Sequence, residues 1–207
     1  NVASLVNVPK GRDGRPSKSF TVEEAKALLA ESKGRRLHAY VTLSLMVGLR
    51  TEEARALRWD HVVVWVENQS EWLPVTAPEF KDGWPEVARF AIYVWRAERH
   101  GGDTKTGKSR RTLALPRACV DALRVQLTQQ ERDRSRADEA WEEHGLVFTS
   151  RVGTPLTANN VIRAFRIITK AAGLGANWVP REMRHTFVSV LSANGVPVGE
   201  HCPAGWP

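Results

Sequence analysis

Cysteine is nearly absent: Cys119 and Cys202 are the only two, the first on an amphipathic pattern and the second in an unusual tail. That excludes a disulfide-stapled scaffold. The six histidines show no metal-ligand spacing among themselves, so neither a zinc site nor any other metal or cofactor is expected. Long apolar runs are missing as well. No stretch approaches the ~20 residues that a spanning helix needs, and the N-terminal residues hold no signal-peptide core, which argues against a membrane partner. A reducing, cytoplasmic setting fits the thiol content best. Internal repeats and low-complexity tracts are also lacking, and tyrosine is confined to Tyr40 and Tyr93.

What is present is a chain of 207 residues, 42% hydrophobic with eight tryptophans, enough for one well-buried core. A formal charge of +7 and a pI near 9.8 make a polyanion the expected partner. Asn1 to Asn7 reads as the end of a preceding element. Lys10 to Ser19 then reads as a basic Gly/Pro/Ser linker carrying Lys10, Arg12, Arg15 and Lys18. Residues 1–19 are therefore expected to be a linker and the remnant of a preceding module, with the main domain over 20–200 and an aberrant tail over 201–207.

Within the main domain, Thr21 and Glu24 form a capping box ahead of the apolar positions Val22, Ala25, Leu28 and Leu29. A second helix carries Leu37, Val41 and Leu45 and ends at Gly48, which can take the left-handed conformation. Thr51 to Leu57 is expected to form a short helix capped by Thr51, with Glu52 and Glu53 in its first turn. The β-branched and aromatic runs Val62 to Val66 and Phe90 to Trp95 predict strands, with a third at Thr112 to Leu115. The segment Glu71 to Glu86 between the first two reads as an insertion rich in proline and acid. Pro116 opens a helix with Val120, Leu123 and Leu127 inward, trailing into a solvated mixed-charge stretch that reaches Glu143. Leu146 to Phe148 reads as a short extended piece. Thr157 caps a helix that stops at Gly173, and a last helix runs from Arg181 to Asn194 and Gly195, with Met183, Phe187, Val190 and Leu191 inward.

Three basic clusters punctuate these elements. Arg181 and Arg184 fall one turn apart at the start of the last helix, where free N–H groups and the helix dipole also favour an anion. Two solvated arginines on an amphipathic helix would share that spacing. Arg50 directly follows Gly48. The turn between the second and third strands gathers Arg99, Lys105, Lys108, Arg110 and Arg111 against Asp103 alone, the strongest basic patch in the chain. With its glycines and few apolar residues, this turn is expected to be mobile in the free protein.

The order of Gly48-Leu49-Arg50-Thr51-Glu52-Glu53, Thr104-Lys105-Thr106-Gly107-Lys108-Ser109-Arg110-Arg111 and Arg181-Glu182-Met183-Arg184-His185-Thr186 resembles the phage integrase, or tyrosine recombinase, family. The resemblance runs from about Arg15 to Glu200. It implies an α+β, mostly helical catalytic domain with a small antiparallel three-stranded sheet bearing the basic hairpin. It also implies double-stranded DNA as partner, integration and site-specific recombination through a 3′-phosphotyrosyl intermediate, multimeric assembly on DNA and a source in a phage or mobile element. By resemblance Arg50 and Arg184 clamp the phosphoryl oxygens, and Lys105 is the general acid for the departing 5′ oxygen. Glu53, one turn after Arg50, is assigned to orienting the arginine cluster, although a helix-dipole partner would sit there too. A type IB topoisomerase shares this chemistry, and a DNA-binding fragment without catalysis is the remaining alternative.

Two departures from the family pattern stand out. Most members have His where this chain has Arg181, which can bind phosphate but cannot exchange a proton near neutral pH. His185, about 100° further round the helix, is expected to be packed and hydrogen-bonded in support rather than to substitute. The family should also continue with a Gly-His box and a tyrosine nucleophile. Tyr40 and Tyr93 match neither place and read as core or interface residues, so this chain is expected to hold a phosphodiester without cutting it. The tail His201 to Pro207 matches nothing in the family. Back-translated one base out of register, it can read Ile-Ala-Arg-Leu-Val-Gly and then His, the form of the missing box. The expectation is a frameshift, which the nucleotide sequence would test.

Overall fold

A computed structural model describes residues 18–95 and 110–194. Lys10, Arg12, Arg15, Arg99, Lys105, Lys108 and the tail 201–207 lie outside the described residues, as does the expected mobility of the basic turn. Six helices and four strands follow in the order α1 (Val22–Ser32), α2 (His38–Met46), α3 (Thr51–Arg55), β1 (Val62–Val66), β2 (Glu71–Pro74), β3 (Phe90–Val94), β4 (Arg111–Ala114), α4 (Arg117–Ala137), α5 (Ala158–Ala171) and α6 (Arg181–Ala193). The class is α+β, mostly helical with a small antiparallel sheet, as the resemblance implied.

At the centre stands α2, buried on every side from Ala39 through Ser44, its two polar members Thr42 and Ser44 included. It packs against α1, α4 and α6. Around it Leu28, Tyr40, Leu43, Leu123, Phe148, Phe165, Ile168 and Met183 fill one core. The Thr21–Glu24 capping box forms in both directions, with Glu24 N–H donating to Thr21 and Thr21 N–H to Glu24. Thr157 caps α5 through the Asn160 N–H.

The sheet has four strands, one more than expected, in the order β2-β1-β3-β4 with every pair antiparallel. The extra strand β2 comes from the segment read as an insertion. It lies at an edge, where Pro74 is tolerated because no outer neighbour needs its missing N–H. Trp72 faces Trp65 edge-on across the β1–β2 pair, with centroids 5.5 Å apart.

Helix α4 is longer and better anchored than a solvated tail would be. Its inward stripe passes from Cys119, Val120 and Leu123 to Gln126, Gln130 and Asp133, all buried. Gln126 donates to Val147 O (3.0 Å) and Gln130 to Leu146 O and Thr149 Oγ1 (2.9 Å each), while Gln130 accepts from Trp59 Nε1 (2.6 Å). This polar seam holds the extended piece at 146–148 against the helix.

On α6, Met183 is buried as expected, Phe187 and Leu191 are half-buried, and Val190 is exposed. Phe187 and Leu191 border an open apolar groove shared with Met46, Phe90 and Leu115.

Candidate phosphate-binding site

The site begins where α2 ends. Gly48 has φ +65°, and a Cβ there would collide with the Phe187 ring, so both backbone geometry and the approach of α6 demand glycine. That approach has a polar consequence: Arg184 Nη1 donates to Gly48 O. The carbonyl that closes α2 thus ties down an arginine from α6, 136 residues away in sequence.

Arg50 follows, and it rather than Thr51 is the cap residue of α3. Glu53 reaches back and accepts from the Arg50 N–H at 2.9 Å and from Arg50 Nη1 at 2.7 Å. The same carboxylate accepts a two-pronged bond from Arg111 at the start of β4, Nη1 at 3.0 Å and Nη2 at 2.8 Å. Glu53 is almost fully buried, while the Arg50 and Arg111 side chains keep 47% and 28% of their exposure, so the guanidiniums are held from beneath and face outward.

The electrostatics follow from that arrangement. Burial works against the charge on Glu53, but the bonds from Arg111 and Arg50 outweigh it and hold its carboxyl below the usual range. Arg184 is shifted down by burial first and then by the positive charges of Arg50 and Arg111, with Glu53 opposing. Two guanidiniums thus share one carboxylate, with the third, Arg184, alongside on Gly48 O. Their mutual repulsion is relieved by an anion that accepts from several of them together.

Arg50 and Arg184, the two residues matched to the phosphate clamp, therefore come together, and Glu53 lies beneath them. Arg111 was assigned to the basic hairpin and turns out to belong to this cluster. Strand register is what brings it there, by pairing Arg111 with Val94 at the end of the β3–β4 pair where the connection joins the two strands, and no local sequence signal announces it. Arg181 stands exposed at the first position of α6, and no contact among the described residues joins it to the cluster. His185 is also exposed, not packed as expected, because the buried stripe of α6 runs through Glu182, Met183 and Thr186. Glu182 and Thr186 instead fasten the helix: Glu182 accepts from Val179 N–H (2.7 Å), and Thr186 accepts from Phe20 N–H (2.8 Å). Arg110 is exposed beside Arg111. Lys18 lies over the Trp178 ring, 5.5 Å from its centroid.

Neither tyrosine lines the cluster. Tyr40 is fully buried, its hydroxyl donates to Thr51 O at 3.4 Å, and burial raises its pKa. Tyr93 stacks on Trp95 with centroids 4.6 Å apart.

This arrangement is a candidate anion site, built by a short helix, a strand and a late helix of a mostly helical α+β domain. Residues 18–200 match the phage integrase family, and the chain belongs to that family. It is 49% identical to an integrase of Streptomyces ambofaciens over 97% of its own length and 48% of that protein's. It is 25% identical to a XerC-like tyrosine recombinase of Caldanaerobacter subterraneus subsp. tengcongensis over 87% of its length and 44% of that protein's. The chain thus spans about half the length of the curated relatives it matches. Among solved structures, the Tn1549 transposon integrase in complex with transposon right end DNA shares the fold with a TM-score of 0.63 at 16% identity, covering 95% of this chain and 59% of that one. The XerA recombinase does so with a TM-score of 0.58 at 20% identity, covering 88% and 53%. No helix among the described residues is long and apolar enough to cross a membrane.

Proposed function

We propose that this chain supplies the phosphate-holding part of a site-specific DNA recombinase of integrase type, acting on double-stranded DNA in the integration of a phage or other mobile element. The observation that carries the reading is the gathering of Arg50, Arg111 and Arg184 around one buried carboxylate from three distant parts of the sequence. In strand cleavage a side-chain hydroxyl attacks phosphorus, the bond to the 5′ oxygen breaks, and negative charge grows on the non-bridging oxygens. Arg50 and Arg184 accept that charge, with Arg111 adding to the field. Glu53 keeps the guanidiniums apart and aimed outward.

Lys105 belongs to the connection between β3 and β4, which enters β4 at Arg111, and it serves as the acid that gives a proton to the departing 5′ oxygen. Arg99, Lys108 and Arg110 in the same connection, Arg181 on α6, and Lys10, Arg12, Arg15 and Lys18 ahead of α1 contact the backbone of the duplex. His185, exposed on α6, has a lesser supporting role. Full-length copies assemble as a multimer on DNA. Within these 207 residues the burial of Tyr40 and the stacking of half-buried Tyr93 on Trp95 favour binding without a covalent step.

Salt titration of duplex binding tests the clamp. Arg50→Ala is expected to weaken binding alike across sequences and to lower the salt slope by about one unit. A loss confined to a single base pair would overturn the clamp. A nicked-duplex assay tests the missing nucleophile, because a denaturant-resistant protein–DNA adduct formed by these residues alone would contradict the assignment of both tyrosines.

A further inference from the structure

A second basic concavity lies at the other end of α2. It is a cleft of about 730 Å³ between the α1–α2 turn, the C-terminal half of α4 and the turn at Arg151. Five arginines line it, Arg35, Arg36, Arg132, Arg136 and Arg151, against the single carboxylate of Asp133. That carboxylate is already committed. It is buried, ion-paired with Arg36, and accepts from Gln129 at 3.2 Å. Arg35 leans on exposed Glu31 at 3.8 Å. No ion pair joins Arg132, Arg136 or Arg151 to a carboxylate among the described residues. Arg134, on the same stretch of α4, pairs with Glu143 at 3.3 Å and is not part of the lining.

Arg132 and Arg136 are four apart on one helix face, a spacing at which like charges repel. The cleft therefore concentrates charge that the fold itself does not neutralise. His38 adds none at neutral pH, since burial, and then Lys33, push its ring below the ordinary 6.5. Planar guanidiniums match phosphate oxygens two bonds at a time, and the volume is that of an ordinary small-ligand site. A carboxylate-bearing peptide spreads its charges along a chain and does not match several forks in one cleft. The clamp is separate, because α2 alone spans about 13 Å between the two sites.

We propose that this cleft is a second anion site that takes clustered phosphates, either those of a free oligophosphate or those of a DNA backbone.

The test uses the 207-residue chain, inorganic tripolyphosphate and a duplex of random sequence. The cleft variant is Arg132→Ser/Arg136→Ser/Arg151→Ser. Its charge-matched control, Arg117→Ser/Arg124→Ser/Arg134→Ser, removes arginines that are ion-paired outside the cleft. Tripolyphosphate is expected to raise the melting temperature of the wild type and the control by more than that of the cleft variant, in which the Arg50–Arg111–Arg184 clamp remains to take it. A duplex salt slope lower by two to three units in the cleft variant alone identifies backbone phosphates as the source, and an unchanged slope identifies a free oligophosphate. Arg132→Lys/Arg136→Lys/Arg151→Lys, which keeps the charge and the fold, is expected to bind tripolyphosphate at least about tenfold more weakly than the wild type because the fork geometry is lost. Equal melting shifts and equal salt slopes in the cleft variant and the control would overturn the proposal. So would polyglutamate matching tripolyphosphate at equal charge, or lysine replacing arginine at no cost.

Discussion

The two ends of α2 each hold a buried carboxylate under arginine, and they use it differently. At the C-terminal end Glu53 is shared by Arg50 and Arg111, with Arg184 alongside, so positive charge exceeds negative and faces outward. At the N-terminal end Asp133 is matched with Arg36, and its neighbours Gln126 and Gln130 spend their polar groups on Val147 O, Leu146 O, the Thr149 hydroxyl and the Trp59 ring. The first arrangement leaves donors on the acid's own partners, while the Asp133–Arg36 pair closes on itself and holds α4 to the extended piece, so that donors at this end come from Arg132, Arg136 and Arg151 beside it. The lesson is that burial of an acid does not by itself mark a site. What matters is whether its partners retain exposed hydrogen-bonding capacity once the acid is satisfied.

The largest expected effect separates the two ends by function. In a full-length recombinase carrying these residues, Arg184→Ala is expected to slow strand cleavage about 100- to 1000-fold, as loss of one donor to a developing charge does elsewhere. Single-turnover cleavage of a nicked substrate measures it. A cleavage rate within twofold of the wild type would remove Arg184 from the clamp.

Next comes stability at the architectural end. Gln130→Ala strips Trp59 Nε1, Leu146 O and Thr149 Oγ1 of a buried partner and is expected to cost about 2 kcal/mol in urea denaturation, with duplex affinity unchanged. An effect on DNA binding at unchanged stability would reverse the roles assigned to the two ends.

The smallest effect is a pH dependence of Glu53. Its pKa is lower in the folded chain than its ordinary 4.5, so its ionised form contributes stability that is complete above about 4.5 and lost as pH falls through the folded value. Glu53→Gln is therefore expected to be less stable than the wild type by about 1 kcal/mol at pH 7, and the gap should narrow as the solution is acidified below pH 4.5. Paired denaturation curves at neutral and acid pH measure this, and a gap that widened in acid would contradict the ion-pair geometry.

Much of the local structure was determined by sequence alone, for reasons that act over a few residues. The Thr21–Glu24 box, the left-handed Gly48, the Thr157 cap and the β-branched runs of β1 and β3 each follow from backbone and side-chain preferences within one turn or one strand. The basic boxes and their order likewise carried the family. Other features were decided only by packing. Glu71–Pro74 became a strand because β1 offered it an edge and Trp72 a partner, against its own proline and acid. Helix α4 stayed anchored past Leu127 because polar Gln126, Gln130 and Asp133 found buried partners, which hydrophobic periodicity cannot register. Arg111 joined Arg50 because strand register set it opposite Glu53, and His185 turned outward because Glu182 and Thr186 took the buried face. The candidate phosphate site combines both kinds of information. Its residue types are legible one box at a time, whereas their meeting depends on contacts between residues 58 and 136 positions apart, which no local preference encodes.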